Sequence, residues 1–239
     1  MTRGLIRSLL VAVLAAVALT TAHAARPADS SAPSPLLQRF LSLTDPVVVE
    51  YRAFRHLEAQ SDRFDSNAWM DVWTNVDRTG AFHYRIAGEG GSSYIRSRVF
   101  VPTLETEARM SSAESLERGA LTLANYIFED RGAERDGLAW LTVKPRRKEV
   151  VLVEGSIFLN PDDGDLVKVE GKLAKTPSFW TRRVEIVRHF RRLAGIRMPV
   201  STESIATVLL VGRATFRMTY DYETVNGQRV ASPQQISSR

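Results

Sequence analysis

The sequence predicts a mainly β domain of the α+β class, a curved antiparallel sheet of about ten strands that forms an incomplete half-barrel covered by a few helices. Three observations predict it. Apolar residues recur with period two over most of the chain, the joints between the alternating runs are short and turn-rich, and only a few segments carry helical spacing. A large sheet with one apolar face must cover that face, and with so few helices available it does so by curling around them into an open barrel, which encloses an apolar cavity.

Pro35 opens the first helix, where Leu36, Leu37, Phe40 and Leu41 fall at helical spacing before a stop near Asp45-Pro46. From Val47 the period changes to two. Val49, Tyr51, Ala53 and Leu57 share one strand face, then Ala68, Met70, Val72 and Val76, then Phe82, Tyr84 and Ile86. Turn residues from Ser61-Asp62 to Ser66-Asn67, and Asp77-Arg78-Thr79-Gly80, join these three as hairpins. After Gly88-Glu89-Gly90-Gly91-Ser92-Ser93 the chain from Tyr94 to about Arg118 reads as two linked helices, interrupted by Pro102 and recapped by Ser111 with Glu114.

Beyond Asn125 strands are expected at residues 125–130, 138–144, 150–159, 165–173, 180–191, 197–210 and 213–223. The segment 180–193 suits either period, since Ile186, Phe190 and Leu193 fit a helix while Trp180, Val184, Ile186 and Phe190 fit a strand; the strand is preferred. The clearest alternation sets Ala214, Phe216, Met218, Tyr220 and Tyr222 against Arg213, Thr215, Arg217, Thr219 and Asp221. Asn160-Pro161-Asp162-Asp163-Gly164 and Ala194-Gly195 are hairpin signals.

The chain begins with a basic segment, an apolar stretch from Leu9 to Leu19, and Thr20-Thr21-Ala22-His23-Ala24, the order of a secretion signal with cleavage after Ala24. Its apolar core is about half the roughly 20 residues that cross a bilayer, so the mature chain is expected to hold no transmembrane segment and to lie in the periplasm. The expected organisation is a signal peptide over 1–24, a disordered leader over 25–35, a single domain over 36–230 and a disordered tail over 231–239. Loss of 24 residues from 239 leaves 215, enough for one domain with a sizeable core.

The sequence has no cysteine, which excludes disulfides, thiol catalysis, thiolate metal sites and the lipidated cysteine of a bacterial lipoprotein. The formal charge of +5 falls to about +3 without Arg3 and Arg7, too little to argue for nucleic acid. The densest basic run, Lys144-Pro145-Arg146-Arg147-Lys148, reads as a solvated loop able to touch lipid head groups.

No catalytic or metal site emerges, and no cofactor is expected. His56, His83 and His189 fall on different strands, opposite the apolar stripe and without ligand spacing. Asp162, Asp163 and Asp165 lack the alternation of a calcium loop and read as a turn. Glu105 with Glu107, and Glu129 with Asp130, have no assignable partner. The Gly88–Ser93 stretch lacks the pattern of a nucleotide loop and reads as a permissive turn with Ser92 or Ser93 as N-cap. There is no Gly-x-Ser-x-Gly elbow. Trp69, Trp73, Trp140 and Trp180 are either core or pocket lining.

The stretches Asp163-Gly164-Asp165-Leu166-Val167-Lys168-Val169-Glu170-Gly171, Pro177-Ser178-Phe179-Trp180, Arg182-Arg183-Val184-Glu185, Met198-Pro199-Val200 and Gly212-Arg213-Ala214-Thr215-Phe216 resemble bacterial outer-membrane lipoprotein-sorting proteins of the LolA/LolB-like superfamily. The resemblance covers residues 150–223 best. It implies an incomplete antiparallel barrel with helices as a lid, and acyl-chain binding or envelope-stress sensing on a diffuse apolar lining. The expected function is therefore a periplasmic protein shielding a lipid or the acyl part of a lipoprotein, not an enzyme, with an envelope protein-interaction or sensor module as the alternative. The expected cavity lining is Phe82, Tyr84, Ile86, Val184, Ile186, Phe216, Met218 and Tyr220, which share inward faces of alternating strands.

Overall fold

The computed structural model describes residues 33–62, 66–110, 117–176, 181–208 and 212–230. The expected signal peptide, the Ser111 cap, Trp180 and the tail lie outside the described residues.

Helix α1 (Pro35–Ser42) is followed by three strands, β1 (Tyr51–Ser61), β2 (Ser66–Val76) and β3 (Phe82–Gly91). A helical run then comprises α2 (Ser93–Ile95), a π-helical turn (Arg96–Phe100) and α3 (Val101–Met110). After a helical turn at residues 117–119 the regular elements are strands: β4 (Tyr126–Arg135), β5 (Leu138–Pro145), β6 (Val153–Leu159), β7 (Leu166–Leu173), β8 (Thr181–Leu193), β9 (Ile196–Val208), β10 (Gly212–Val225) and the short β11 (Gln228–Arg229). One antiparallel sheet results, in the order β3-β2-β1-β10-β9-β8-β7-β6-β5-β4, with β11 paired only to β10. The path ends in free edges at β3 and β4 and does not close on itself, so the sheet is the expected open half-barrel.

The inner face carries two apolar clusters, one in each half of the sheet. The first joins Leu37 and Phe40 of α1 to Leu141, Ile157, Leu159, Val169, Val184, Ile186 and Phe190. Its geometry depends on the facing pair Gly155 and Gly171, since a Cβ on Gly155 would lie 2.2 Å from the Glu170 carbonyl oxygen. The second cluster joins Ile95, Phe100 and Leu104 of the helical run to Leu57, Met70, Val72, Phe216, Met218, Tyr220 and Tyr222. Each cluster has its own helical cover.

Several expectations are refined. Residues 181–193 settle as strand β8, because pairing with β9 along its length satisfies the backbone and buries Val184, Ile186 and Phe190 together. Val49 does not join the strand face: it is 46% exposed, and its amide donates to the Asn226 side-chain oxygen instead of to a strand. Gly88–Gly91 is not a turn but the end of β3, and the glycines are explained by Trp69. A Cβ on Gly90 would stand 2.4 Å from the indole nitrogen, so the ring can cross the strand only there and at Gly88. Pro102 does not break the helical run. It sits at the start of α3, and the turn just before it widens to π geometry, which suits a residue with no N–H to return to the preceding turn.

Candidate functional site

The helical run starts where Ser92 accepts a hydrogen bond from the Ile95 amide (3.4 Å), a local N-cap at the end of β3. It then doubles back over the inner face of β1, β2 and β10. Positions 100, 104 and 107 share one helical face, and the first two bury Phe100 and Leu104 completely. The third is a carboxylate. Glu107 lands on Arg55, the residue between Ala53 and Leu57 on the inward stripe of β1.

Arg55 is 1% exposed and forks onto both Glu107 oxygens, with Nη1 donating to Oε2 at 2.5 Å and Nη2 to Oε1 at 2.8 Å. Nη2 also donates to the Tyr51 hydroxyl at 2.7 Å, and that hydroxyl donates to Glu107 Oε1 at 3.2 Å, closing a ring of three side chains. Around the guanidinium stand the rings of Tyr220, Phe82 and Tyr51, with centroids at 4.7, 5.4 and 5.9 Å. Burial alone would lower the Arg55 pKa, but the Glu107 carboxylate outweighs it and holds the guanidinium well above its ordinary value. Burial would likewise raise Glu107, and Arg55 outweighs it, so this carboxyl titrates below the usual range. Burial pushes the Tyr220 and Tyr222 phenols up, keeping both neutral.

A second buried arginine, Arg188 on β8, donates from Nε to Thr202 Oγ1 at 3.1 Å and contributes to lowering Glu107. The inner face is therefore apolar at both ends and carries a polar belt of Arg55, Glu107, Tyr51, Arg188 and Thr202 between them. Such a belt can receive an anionic oxygen group. Sequence reading missed it, although the signal was present: an arginine at the inward parity of β1 and another at that of β8.

The eight expected lining residues fall into three places. Phe216, Met218 and Tyr220 are buried beneath the helical run, with Phe82 packed at their margin. Val184 and Ile186 are buried in the other cluster, under α1. Tyr84 and Ile86 share the inner side of edge strand β3 with Phe82, opposite Thr74 and Val72, but are 36% and 39% exposed. The structure thus joins four of the eight and separates the rest. Two clefts of about 660 and 640 Å³ lie elsewhere, and among the eight only Ile186 borders the first and Tyr84 the second. The first is mainly an outer-face trough across β4–β8, lined by Glu129, Lys144, Glu154, Lys172, Arg183 and Glu185.

No family model matches the chain, and no curated protein matches it. Solved structures resemble it, two among them over most of its length. A domain of an outer membrane lipoprotein-sorting protein from Vibrio parahaemolyticus is 13% identical at a TM-score of 0.40, over 80% of this chain and 91% of that one. A DUF1329 family protein from Desulfovibrio piger is 8% identical at a TM-score of 0.38, over 77% of this chain and 86% of the other. Both are likenesses of chain path, at identities far below what would carry a function across.

The remaining features have structural roles. His56 sits on the outer face with Nδ1 2.5 Å from Asp71 and Nε2 3.0 Å from Glu58, so its two nitrogens diverge. Among the described residues no group of three or more His, Asp or Glu is placed to hold a metal ion. Trp69 and Trp73 are on the outer face, neither in the core nor lining the interior: Trp69 stacks on His56, and Trp73 packs against Phe54 and Arg52. Asp165 does more than turn the chain, since its carboxylate accepts from Arg197 Nε at 2.7 Å and from Arg192 Nη2 at 2.9 Å. The basic run is not simply solvated either. Arg146 donates to the Leu123 carbonyl and Arg147 to Asn125 Oδ1, pinning the loop to the segment before β4.

Proposed function

We propose that the protein is a periplasmic binding protein that shields an apolar ligand, a lipid or the acyl part of a lipoprotein, between the inner sheet face and the helical run. The observation that carries this reading is the cover over Phe216, Met218 and Tyr220: a single helical run whose own inward face carries a carboxylate, Glu107, paired to the sheet. By contrast, α1 meets the other cluster through apolar side chains, and its charged tie, Asp45 to Arg197 and Arg192, lies beyond the helix. Lifting that cover exposes Ile95, Phe100 and Leu104, at roughly 1.5–3 kcal/mol each. An acyl chain of about ten methylenes, worth roughly 0.8 kcal/mol apiece, offsets a cost of that size. Tyr84 and Ile86, exposed on the inner side of β3, give the chain an apolar way in beside Phe82.

Among the described residues no helix is long and apolar enough to cross a membrane. A second reading, an envelope protein-interaction module, is favoured by the two free sheet edges, where Ile86 on β3 and Ile127 on β4 are 39% and 41% exposed. Native mass spectrometry of the protein from its own periplasm, followed by organic extraction, separates the two. A lipid or acylated peptide released at one-to-one stoichiometry supports the carrier. A clean apo mass with no uptake of added lipid overturns it.

A further inference from the structure

We infer that the ligand is a long single-chain amphiphile with an anionic oxygen headgroup, and that this headgroup takes the place of the Glu107 carboxylate on Arg55. The inference rests on the carrier reading, in which the helical run moves aside.

Arg55 belongs to the sheet, whereas its counter-charge belongs to the cover. When the cover lifts, a guanidinium set among the rings of Tyr51, Phe82 and Tyr220 loses its carboxylate. A neutral ligand in the vacated space would leave that cation buried and unpaired, the costly half of a broken ion pair. An anionic ligand restores the fork. The same donors that hold Glu107 are available to it: the two Arg55 Nη groups, and the Tyr51 hydroxyl that now donates to Glu107. Arg55 Nε is buried and has no partner while Glu107 is in place, a further donor in the same site. Arg188, 5% exposed on β8, adds a second positive charge whose field already reaches Glu107.

The covering face has the same order of chemistry as such a ligand. Ile95, Phe100 and Leu104 form an apolar stripe that ends in a carboxylate at Glu107, a span of 12 residues or about 18 Å of helix. Glu107 is thus an internal occupant of the headgroup site, and binding and helix displacement become one competition for Arg55. A site built to bond a charged group rejects the analogue lacking it, because its own buried groups are then left unpaired.

The test compares ligands of one chain length and different heads, titrated into the mature protein by native mass spectrometry and calorimetry: palmitate, hexadecyl phosphate, hexadecanol and hexadecyltrimethylammonium. Palmitate, hexadecyl phosphate or both are expected to bind about tenfold or more tighter than hexadecanol, the equivalent of one charge-assisted hydrogen bond, and the cationic amphiphile weakest. Which of the two anions leads decides between a carboxylate and a phosphate head. Glu107→Gln should tighten the anionic ligands more than hexadecanol, and Arg55→Met should erase the preference. Equal affinity for all four heads overturns the headgroup inference and leaves the carrier reading standing. No binding of any chain overturns both. Since the wild-type comparison needs no variant, misfolding of either mutant leaves the result decisive.

Discussion

The two halves of the inner face are covered in different ways. Under α1 the helix itself meets the sheet through apolar side chains, with Phe40 fully buried. The charges gather beyond its end, where the buried Arg197, facing the Phe40 ring, and the partly exposed Arg192 tie Asp45 to Asp165, just before β7. Under α2 and α3 the charge pair lies in the interior, joining Arg55 of the sheet to Glu107 of the cover. A buried ion pair adds little net stability over an apolar pair of the same volume, yet it is costly to break by halves. The first half is held by apolar packing together with two arginines on two carboxylates, so no single competitor replaces its closure. The second has one preferred closed arrangement and a single charged contact that a competitor can take.

The largest effects should come from attacking each cover at its anchor. Arg55→Met leaves the Glu107 carboxylate buried without its cation and should cost about 3–5 kcal/mol in urea denaturation. Hydrogen exchange should show the loss concentrated in α2 and α3. The double variant Arg55→Met with Glu107→Leu should recover most of it, because no charge is then stranded. Phe40→Ala should also cost about 3–5 kcal/mol, but through a cavity against the other cluster, and here the double variant has no counterpart. If Arg55→Met raises exchange equally in α1 and α3, the two halves do not differ in the way their contacts imply.

The strands were legible because each alternates against a polar outer face, so that period alone located β2 and β10 to within about two residues of their observed ends and β3 at its start, while the glycines hid its end at Gly91. The contents of the site were not, for a reason visible in the same pattern. An inward stripe read by its apolar members passes from Ala53 to Leu57 and from Ile186 to Phe190, stepping over Arg55 and Arg188, which have inward parity and are buried. Glu107 was equally hidden: nothing local gives a helical glutamate a partner, and its arginine lies 52 residues earlier on another element. Long-range charge pairing leaves no short-range signature, whereas burial periodicity does. The outer-face tryptophans misled for the converse reason. The glycines that let Trp69 lie flat belong to β3, and only the cross-strand register brings them under its ring.

Smaller effects sharpen the same contrast. Gly155→Ala forces a Cβ into the β7 backbone at the facing Gly171, in the half under α1, and should cost about 1–3 kcal/mol while leaving exchange in α3 unchanged. Acid should act on both halves, through Asp165 in the half under α1, where burial is outweighed by Arg192 and Arg197 and the pKa is lowered, and through Glu107 under the helical run. The Glu107 pKa is lowered on folding, so the unfolded chain takes up the proton first, and the stabilisation present above about pH 4.5 is lost as pH falls through the lower folded value. Circular dichroism melts between pH 6 and 3 should show this loss in the wild type and less of it in the double variant; identical profiles would mean that Glu107 is not the group responsible.

The smallest effect belongs to His56, which lies on the outer face and so reports on the sheet without the cover. Partial burial would lower its pKa, but the Asp71 and Glu58 carboxylates on its two nitrogens outweigh this and raise it. The sign is opposite to that of Glu107. A raised histidine stabilises the folded state fully below its unfolded pKa of 6.5 and loses that contribution as pH rises through the folded value. The imidazole is solvated and screened, so the change in stability should be slight, and the direct measurement is the His56 ring titration by NMR. Asp71→Asn should move that titration to lower pH. Because the pair sits on β1 and β2 with its back to Arg55, neither the titration nor the substitution should alter exchange in α2 and α3. A coupled change there would mean that the outer surface of β1 reports on Arg55, and that the closed state of the cover is set from both sides of the sheet.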